Sequence, residues 1–212
     1  MASRQDIVLL FTRYPAPGLS KTRLIPILGA QGAADLQRRM TEGIAAKISH
    51  LAAGRPLSLE IHFEGGDHSL MSAWLGKTHL YKQQADSGLG YRMACALTAH
   101  LRTKEAIVLT GSDCPGITSG ILVEALEALR SNDMVLGPAC DGGYYLIGVN
   151  GGLAPDTVSS LFTNIQWGSK TVFSDTMARA ELHQLTCHIL PELHDIDRPE
   201  DLGYINHHSD LK

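Results

Sequence analysis

The sequence predicts an α/β fold, a three-layer α/β/α sandwich built around a mostly parallel mixed sheet. Apolar runs of strand length alternate with stretches of helical periodicity along the 212 residues, which is typical of a sheet covered by helices on both faces. Hydrophobic residues make up 44% of the chain and charged residues 19%, which is enough to bury a core. Because no linker, repeat or low-complexity tract interrupts the pattern, we expect one domain over residues 1–212.

The predicted strands are short apolar or alternating runs. The first, 6–12, contains the apolar run Ile7-Val8-Leu9-Leu10, and the second, 57–63, has an apolar residue at every other position. Further strands are predicted at 79–83, 106–110, 134–136, 144–149 and within 183–190.

Helices are predicted where apolar residues recur every three or four positions. The longest is 31–53, in which the recurring residues are Leu36, Met40, Ile44, Ile48 and Leu51. Further helices are predicted at 67–75, 88–102, 118–130, 169–182 and 199–207.

Composition narrows the class of partner. The net charge of -4 and a pI near 6.2 argue against nucleic acid as a partner. No run approaches the roughly 18 apolar residues of a membrane span, and no secretory leader is recognisable at the N-terminus, so we expect a cytoplasmic protein without a membrane partner. The four scattered cysteines form no Cys-x-x-Cys pair, which argues against a zinc ribbon or a disulfide framework. The sequence is compatible with a homodimer.

The loop after the first strand concentrates positive charge. Arg13, Lys21 and Arg23 lie there with two prolines and Gly18. Ligands of α/β proteins bind at the carboxyl ends of strands, so these cations indicate a polyanion such as a nucleotide di- or triphosphate; a solvated basic loop is the alternative. The loop matches neither Gly-x-x-x-x-Gly-Lys-Ser/Thr nor Gly-x-Gly-x-x-Gly, and its prolines lack N–H donors. Phosphate would therefore be held mainly by side chains, with help from a few backbone N–H groups around residues 18–21.

Asp113 is the best candidate for a metal ligand. It follows the strand 106–110 in the turn Gly111-Ser112-Asp113-Cys114-Pro115, and Mg²⁺ is usually bound by one or two carboxylates together with phosphate oxygens. The alternative is that Asp113 only stabilises the turn. The cationic loop favours the metal.

Asp141 precedes Gly142-Gly143, between two short predicted strands. It could bind an acceptor hydroxyl or act as a general base. A type I′ hairpin turn of the Asp-Gly kind explains the same residues equally well.

Asp195 and Asp197 form an Asp-x-Asp pair ahead of Pro199. On an extended segment both would point the same way, and one could complete the metal site with Asp113. Asp197 could instead cap the helix predicted from Pro199, so we favour Asp195 as the ligand and Asp197 as the cap.

Gly88 and Gly90 could let the backbone approach a base or sugar, or could serve a simple turn.

Together these motifs resemble a known family. The matching segments, all present in family order, are Arg13-x-Pro15-x-Pro17-Gly18-x-x-Lys21-Thr22-Arg23-Leu24, Gly111-Ser112-Asp113-Cys114-Pro115, Gly137-Pro138-x-x-Asp141-Gly142-Gly143-Tyr144-Tyr145 and Asp195-x-Asp197-x-Pro199-Glu200-Asp201-Leu202. The chain is identified as a member of the bacterial GT-A-type glycosyltransferase-like family of unknown function. That family is similar to nucleotide-diphospho-sugar transferases and to the guanylyltransferases of cofactor F420 and molybdopterin cofactor synthesis.

The resemblance implies a GT-A-type nucleotide-binding sandwich. It implies that Arg13, Lys21, Thr22 and Arg23 hold phosphates, and that Asp113 with Asp195 or Asp197 holds Mg²⁺ or Mn²⁺. GT-A enzymes commonly carry Asp-x-Asp where this chain has the single Asp113. The Lys-Thr-Arg loop resembles that of a nucleotidyltransferase, which binds a triphosphate.

The sequence is therefore compatible with three functions. The first is transfer of a glycosyl group from a nucleotide sugar to a small acceptor, with Lys21 and the metal stabilising the leaving diphosphate and Asp141 assisting the acceptor. The second is nucleotidyl transfer from an NTP to a phosphorylated small molecule. The third is a non-catalytic nucleotide-binding module.

Overall fold

A single mixed sheet organises the part of the chain that the computed structural model describes, residues 5–205. Its strands are β1 (Asp6–Arg13), β2 (Leu57–Glu64), β3 (Leu80–Gln83), β4 (Ala106–Thr110), β5 (Met134–Pro138), β6 (Tyr144–Asn150) and β7 (Cys187–Ile189). Their order across the sheet is β3-β2-β1-β4-β6-β5-β7. The predicted strands are confirmed, with ends shifted by a few residues.

The direction of β6 differs from that of the other strands. It runs antiparallel to both β4 and β5, whereas the other strand pairs are parallel. The carboxyl ends of the parallel strands therefore share one edge of the sheet with the beginning of β6. This edge carries the loops in which the sequence places its candidate residues.

Helices cover both faces of the sheet. They are α1 (Ile25–Gly54), α2 (His68–Leu75), α3 (Leu89–Thr98), α4 (Ser119–Ala128), α5 (Pro155–Ser160), α6 (Val172–Leu182) and α7 (Leu202–Ile205). Helices α1, α2 and α4 pack on one face, and α3, α5 and α6 pack on the other. The predicted three-layer sandwich is confirmed.

Alternation along β1 explains the two layers of the core. Val8 and Leu10 point towards α1 and α4, and Ile7 and Leu9 point towards α3. All four side chains are almost completely buried, and burial of each contributes roughly 1.5–3 kcal/mol. Because a one-residue slip would exchange the two faces, this pattern specifies the register of the central strand.

Helix boundaries are where sequence and structure differ most. Helix α1 begins at Ile25 rather than at residue 31, with a proline in its first turn and a non-helical break at Gly29 (φ 69°, ψ 167°). A glycine in this conformation interrupts the apolar period, so periodicity alone detects only the part after the break. Helix α3 ends at Thr98 rather than at residue 102, and the short helix α5 was not predicted.

The predicted last helix is present in part. A 3₁₀ turn, Pro199–Asp201, precedes α7, and residues 206–207 of the prediction lie outside the described residues. Within residues 5–205, none of the helices has both the length and the apolar character that crossing a membrane requires.

The carboxylate of Asp6, on β1, connects the segments that follow α1 and α4, at the edge of the sheet opposite the candidate residues. It is buried and accepts hydrogen bonds from Nη2 of Arg130 at 2.7 and 2.9 Å and from Nη2 of Arg55 at 3.3 Å. We expect Asp6→Ala to lower the free energy of unfolding by about 2 kcal/mol, because both guanidinium groups lose a charged acceptor.

Urea denaturation monitored by circular dichroism would measure this loss. Asp86→Ala, an exposed aspartate in a loop, serves as the matched control and should change stability by less than about 0.5 kcal/mol. Equal effects of the two substitutions would contradict the role of Asp6.

Candidate active site

A cleft of about 630 Å³ opens at the edge where the parallel strands end. A cavity of this size suits a small-molecule ligand. The predicted site residues that line it are Arg13, Lys21, Thr22, Arg23, Asp113, Asp141, Asp195 and Asp197. Three other predicted residues are not among the described residues that line the cleft: Gly18, Gly88 and Gly90. The structure thus brings together charged groups from segments as far apart as the first loop and the strand-like stretch after β7.

The loop between β1 and α1 is held in a defined shape. The hydroxyl of Ser20, which is buried, donates a hydrogen bond of 2.9 Å to the carbonyl of Tyr14. The backbone N–H groups of Leu19 and Ser20 both donate to the carbonyl of Ala16. Leu24 then enters a small apolar cluster with α1. The cations of this loop are therefore presented by an ordered backbone.

Lys21 connects the loop to two other segments. Its side chain is only 4% exposed, and Nζ lies 2.9 Å from Oδ1 of Asp113 and 2.6 Å from the carbonyl oxygen of Ile196. The backbone of Lys21 is left-handed, with φ of 48°, a conformation that costs free energy for a residue other than glycine. The surrounding contacts hold Lys21 in this conformation beside the predicted metal ligand.

The arginines of the cleft are each paired with a carboxylate. Arg13 lies 2.9 Å from Oε2 of Glu64 and also donates to the carbonyl of Leu19 at 3.1 Å. Arg23 forms an ion pair with Asp197. Arg92, from α3, reaches the same Glu64 oxygen at 3.1 Å. These pairs orient the guanidinium groups along one wall of the cleft.

Three aspartates, Asp113, Asp141 and Asp195, line the cleft together, and Asp113 contacts Lys21. Backbone hydrogen bonds bring their segments together, because the N–H of Ile196 donates to the carbonyl of Asp113 and the N–H of Cys140 donates to that of Leu193. Burial, followed by the negative charge of Asp141 and smaller effects of Asp201 and Asp113, raises the pKa of Asp195. Like charges held this close favour a bound cation.

The hairpin predicted at Asp141 is present, but its turn differs from the predicted type. The connection between β5 and β6 has five residues, and only Gly142, with φ of 92°, is left-handed there, so the hairpin is real but is not a type I′ turn. A Cβ on Gly142 would lie 2.3 Å from the backbone oxygen of Lys170. Oδ1 of Asp141 accepts the N–H of Gly143 at 2.8 Å, which fixes its carboxylate at the cleft.

The predicted cap at Asp197 is wrong. The 3₁₀ turn begins after Arg198, and the carboxylate of Asp201 accepts the backbone N–H groups of Asp197 and Arg198. The side chain of Asp197 is instead directed to Arg23. A cationic partner from a distant loop thus outweighs the local capping preference.

Gly90 has a packing role. A Cβ at this position would lie 2.7 Å from the ring of Trp167, so the absence of a side chain makes room for the indole. Trp167 lines the cleft and contacts the rings of Tyr144 and Phe162. The close approach expected at this glycine is therefore made by an aromatic side chain.

Residues 44–169 match the protein family described as "Uncharacterized protein conserved in bacteria (DUF2064)". The chain belongs to this family. No curated protein matches its sequence at a significant level.

Solved structures place the DUF2064 chain among nucleotide-dependent transferase folds. A "putative nucleotide-diphospho-sugar transferase" from Desulfovibrio desulfuricans G20 is 33% identical, with 94% of this chain and 85% of that chain covered and a TM-score of 0.85. The inositol-1-phosphate CTP transferase from T. maritima is 16% identical over 100% and 97% of the two chains, with a TM-score of 0.58. A Mycobacterium tuberculosis H37Rv protein solved in complex with manganese is 15% identical over 96% and 98%, with a TM-score of 0.54. The last two likenesses show the fold alone.

Sequence reasoning missed the polar floor of the DUF2064 cleft. Nε2 of Gln37 donates to the hydroxyl of Ser112 at 2.9 Å and to that of Thr41 at 3.2 Å, and the hydroxyls of Thr41 and Thr12 are 2.9 Å apart. All four residues are buried. The sequence signal for this polar floor was Gln37, a polar residue on the apolar face of the helix predicted at 31–53. Arg92 was missed because the sequence around it does not indicate that its partner is Glu64, at the end of β2.

The raised pKa of Asp195 predicts a pH-dependent effect of Asp195→Asn. The folded chain holds a proton on Asp195 more tightly than the unfolded chain does. Ionisation of Asp195 therefore destabilises the fold as the pH rises from the unfolded-state pKa through the higher folded-state pKa. In EDTA at pH 7.5, Asp195→Asn should therefore raise the free energy of unfolding, by less than about 1 kcal/mol because the group is only half-buried. The gain should shrink as the pH falls towards the folded-state pKa.

Urea melts at several pH values would measure the difference between variant and wild type. Asp86→Asn, which removes a carboxylate exposed to solvent, should show no comparable trend. A gain from Asp195→Asn that stays constant with pH would contradict the electrostatic cause.

Proposed function

We propose that this protein transfers a glycosyl group from a nucleotide diphosphate sugar to a small acceptor, assisted by a divalent cation. The observation that carries the proposal is the meeting of the loop cations with three aspartates around Lys21 in one cleft. The 33% identical relative with a nucleotide-diphospho-sugar transferase name supports this choice.

Arg13, Lys21, Arg23 and Arg92 would bind the phosphates. Each lines the cleft, and guanidinium and ammonium groups stabilise phosphate oxygens by charge-assisted hydrogen bonds. Phosphate oxygens would compete with Asp113 for the ammonium of Lys21. Lys21 would then stabilise the negative charge that develops on the departing diphosphate.

Asp113 and Asp195 would hold the cation. Their oxygen donors suit Mg²⁺ or Mn²⁺. Burial, followed by the charge of neighbouring carboxylates, raises the pKa of Asp195, and such an ion would offset this cost of ionisation. The manganese complex of the distant structural relative is in keeping with this choice. When bound, the ion would neutralise charge on the leaving diphosphate. Asp197, through its ion pair, would orient Arg23 rather than bind the ion.

Asp141 would act on the acceptor. The N–H of Gly143 holds its Oδ1, which leaves the other oxygen to accept a proton from the acceptor hydroxyl. Trp167 and Tyr144 would provide an apolar surface beside it.

Nucleotidyl transfer from an NTP is the second candidate. The loop Lys21-Thr22-Arg23 resembles that of a nucleotidyltransferase, which binds a triphosphate, and the single Asp113 replaces the Asp-x-Asp of GT-A enzymes. The same groups would then stabilise pyrophosphate as the leaving group.

Product analysis separates the two reactions. Purified protein with Mg²⁺ or Mn²⁺ is incubated with a panel of nucleotide sugars and NTPs, each with mixed small acceptors, and NDP and pyrophosphate are quantified. We expect release of NDP from a nucleotide sugar, falling at least about 100-fold in Asp113→Asn because a metal ligand is lost. Asp156→Asn, an exposed change in α5, is the matched control.

Two outcomes would reject the leading proposal. Pyrophosphate formed from an NTP would establish nucleotidyl transfer instead. Nucleotide binding without turnover of any substrate, unchanged in Asp113→Asn, would indicate a non-catalytic nucleotide-binding module.

The phosphate-binding role of the loop predicts separate losses of affinity. Lys21→Ala and Arg23→Ala should each weaken nucleotide binding by about 1–3 kcal/mol, the contribution of a charged hydrogen bond. Isothermal titration calorimetry with the nucleotide found above would measure it. Lys77→Ala, an exposed lysine between α2 and β3, should leave affinity unchanged, and unchanged affinity in both loop variants would remove the loop from the site.

A further inference from the structure

A second group of ionisable side chains lies beneath the cleft, on the sheet face that packs against α3. Glu60 and His62 are two residues apart on β2 and therefore point to the same face; both are buried. His100 approaches from the turn after α3, and Lys82 approaches from β3. We call these four residues the Glu60 cluster.

One carboxylate oxygen is the centre of the cluster. Oε1 of Glu60 lies 2.7 Å from Nε2 of His62, 3.3 Å from Nε2 of His100 and 3.0 Å from Nζ of Lys82. Burial acts to raise the pKa of Glu60, but hydrogen bonds from His100, His62 and Lys82 outweigh it and hold the pKa well below its usual range. Glu60 is therefore an ionised carboxylate inside the protein.

The three donors crowd this oxygen. A carboxylate oxygen offers about two lone pairs, whereas three N–H groups converge on Oε1. The arrangement leaves at least one donor with a poor hydrogen bond. A single ion of higher charge would satisfy the same carboxylate and both imidazoles together.

We propose that the Glu60 cluster is a binding site for a transition-metal ion of the zinc class, with Glu60, His62 and His100 as ligands. Two imidazoles and a carboxylate are a donor set that zinc prefers. The three candidate ligand atoms lie within 4.8 Å of one another, and tetrahedral zinc with bonds near 2.0–2.1 Å separates its ligands by about 3.3 Å. Small side-chain shifts bring these atoms to that spacing.

Lys82 is the natural competitor of the ion. Its ammonium lies on the oxygen that the metal would need, but its side chain is 50% exposed and can turn out to solvent. That movement opens a path for the ion and leaves a coordination position for water. The site differs from the cleft aspartates, whose all-oxygen donors suit Mg²⁺ or Mn²⁺.

A bound ion would connect β2 to the end of α3. Helix α3 also carries Arg92, which meets Glu64 at the end of β2. Metal bound at the Glu60 cluster would therefore stabilise the part of the cleft wall that Arg92 and Glu64 form. This inference is independent of the reaction that the cleft performs.

Zinc titration of the full chain tests the proposal. After EDTA treatment and removal of the chelator, calorimetry with Zn²⁺ should show one tight site per chain, and Co²⁺ should give the visible absorption of a tetrahedral complex. His62→Gln and His100→Gln should weaken this site at least about 100-fold, since each removes a ligand. Lys82→Met should strengthen it about tenfold, because the competing ammonium is gone.

Asp113→Asn is the discriminating control and should retain the tight zinc site. No stoichiometric zinc binding by the wild type, or binding that survives both histidine substitutions and disappears in Asp113→Asn, would overturn the proposal. Circular dichroism checks that each variant is folded. If a histidine variant fails to fold, the tighter zinc binding expected in Lys82→Met and the unchanged binding expected in Asp113→Asn still decide the question.

Discussion

The buried ammonium group of Lys21 connects the parts from which the cleft is built. It lies between the Asp113 carboxylate on the loop after β4 and the Ile196 carbonyl on the segment after β7, and it belongs to the loop after β1. A charge removed from water in this way requires such partners. Without Lys21, Asp113 would lose this ion pair in a cleft that also holds Asp141 and Asp195.

The reversed strand β6 makes this meeting possible. Because β6 runs antiparallel to β4 and β5, the hairpin before it lies at the same edge as the carboxyl ends of the parallel strands. Asp141 thereby faces Asp113 and Asp195. In an all-parallel sheet, the residues just before β6 would lie at the opposite edge, more than a strand length away.

Aspartates at the two edges of the sheet have opposite electrostatic effects on stability. The pKa of Asp195 is raised by burial and by neighbouring carboxylates, which is a local destabilisation of the ionised fold. By contrast, Asp6 at the other edge has two arginine partners. The same residue type therefore stabilises one edge of the sheet, while at the other edge its ionisation carries a local electrostatic cost.

The sequence by itself determined the layered fold, the central strands and the segments that carry the site. These follow from local signals, such as the alternation in β1 and the clustering of charged and glycine residues directly after strands. It did not reveal the break at Gly29 or the short helix α5. It also did not reveal the true partner of Asp197, because Arg23 lies 174 residues away in the chain. Only the tertiary structure decided that Lys21 meets Asp113, that Arg92 joins the cleft and that Glu60, His62 and His100 converge. The physical reason is that side chains from separate strands approach only after the order and direction of those strands are set.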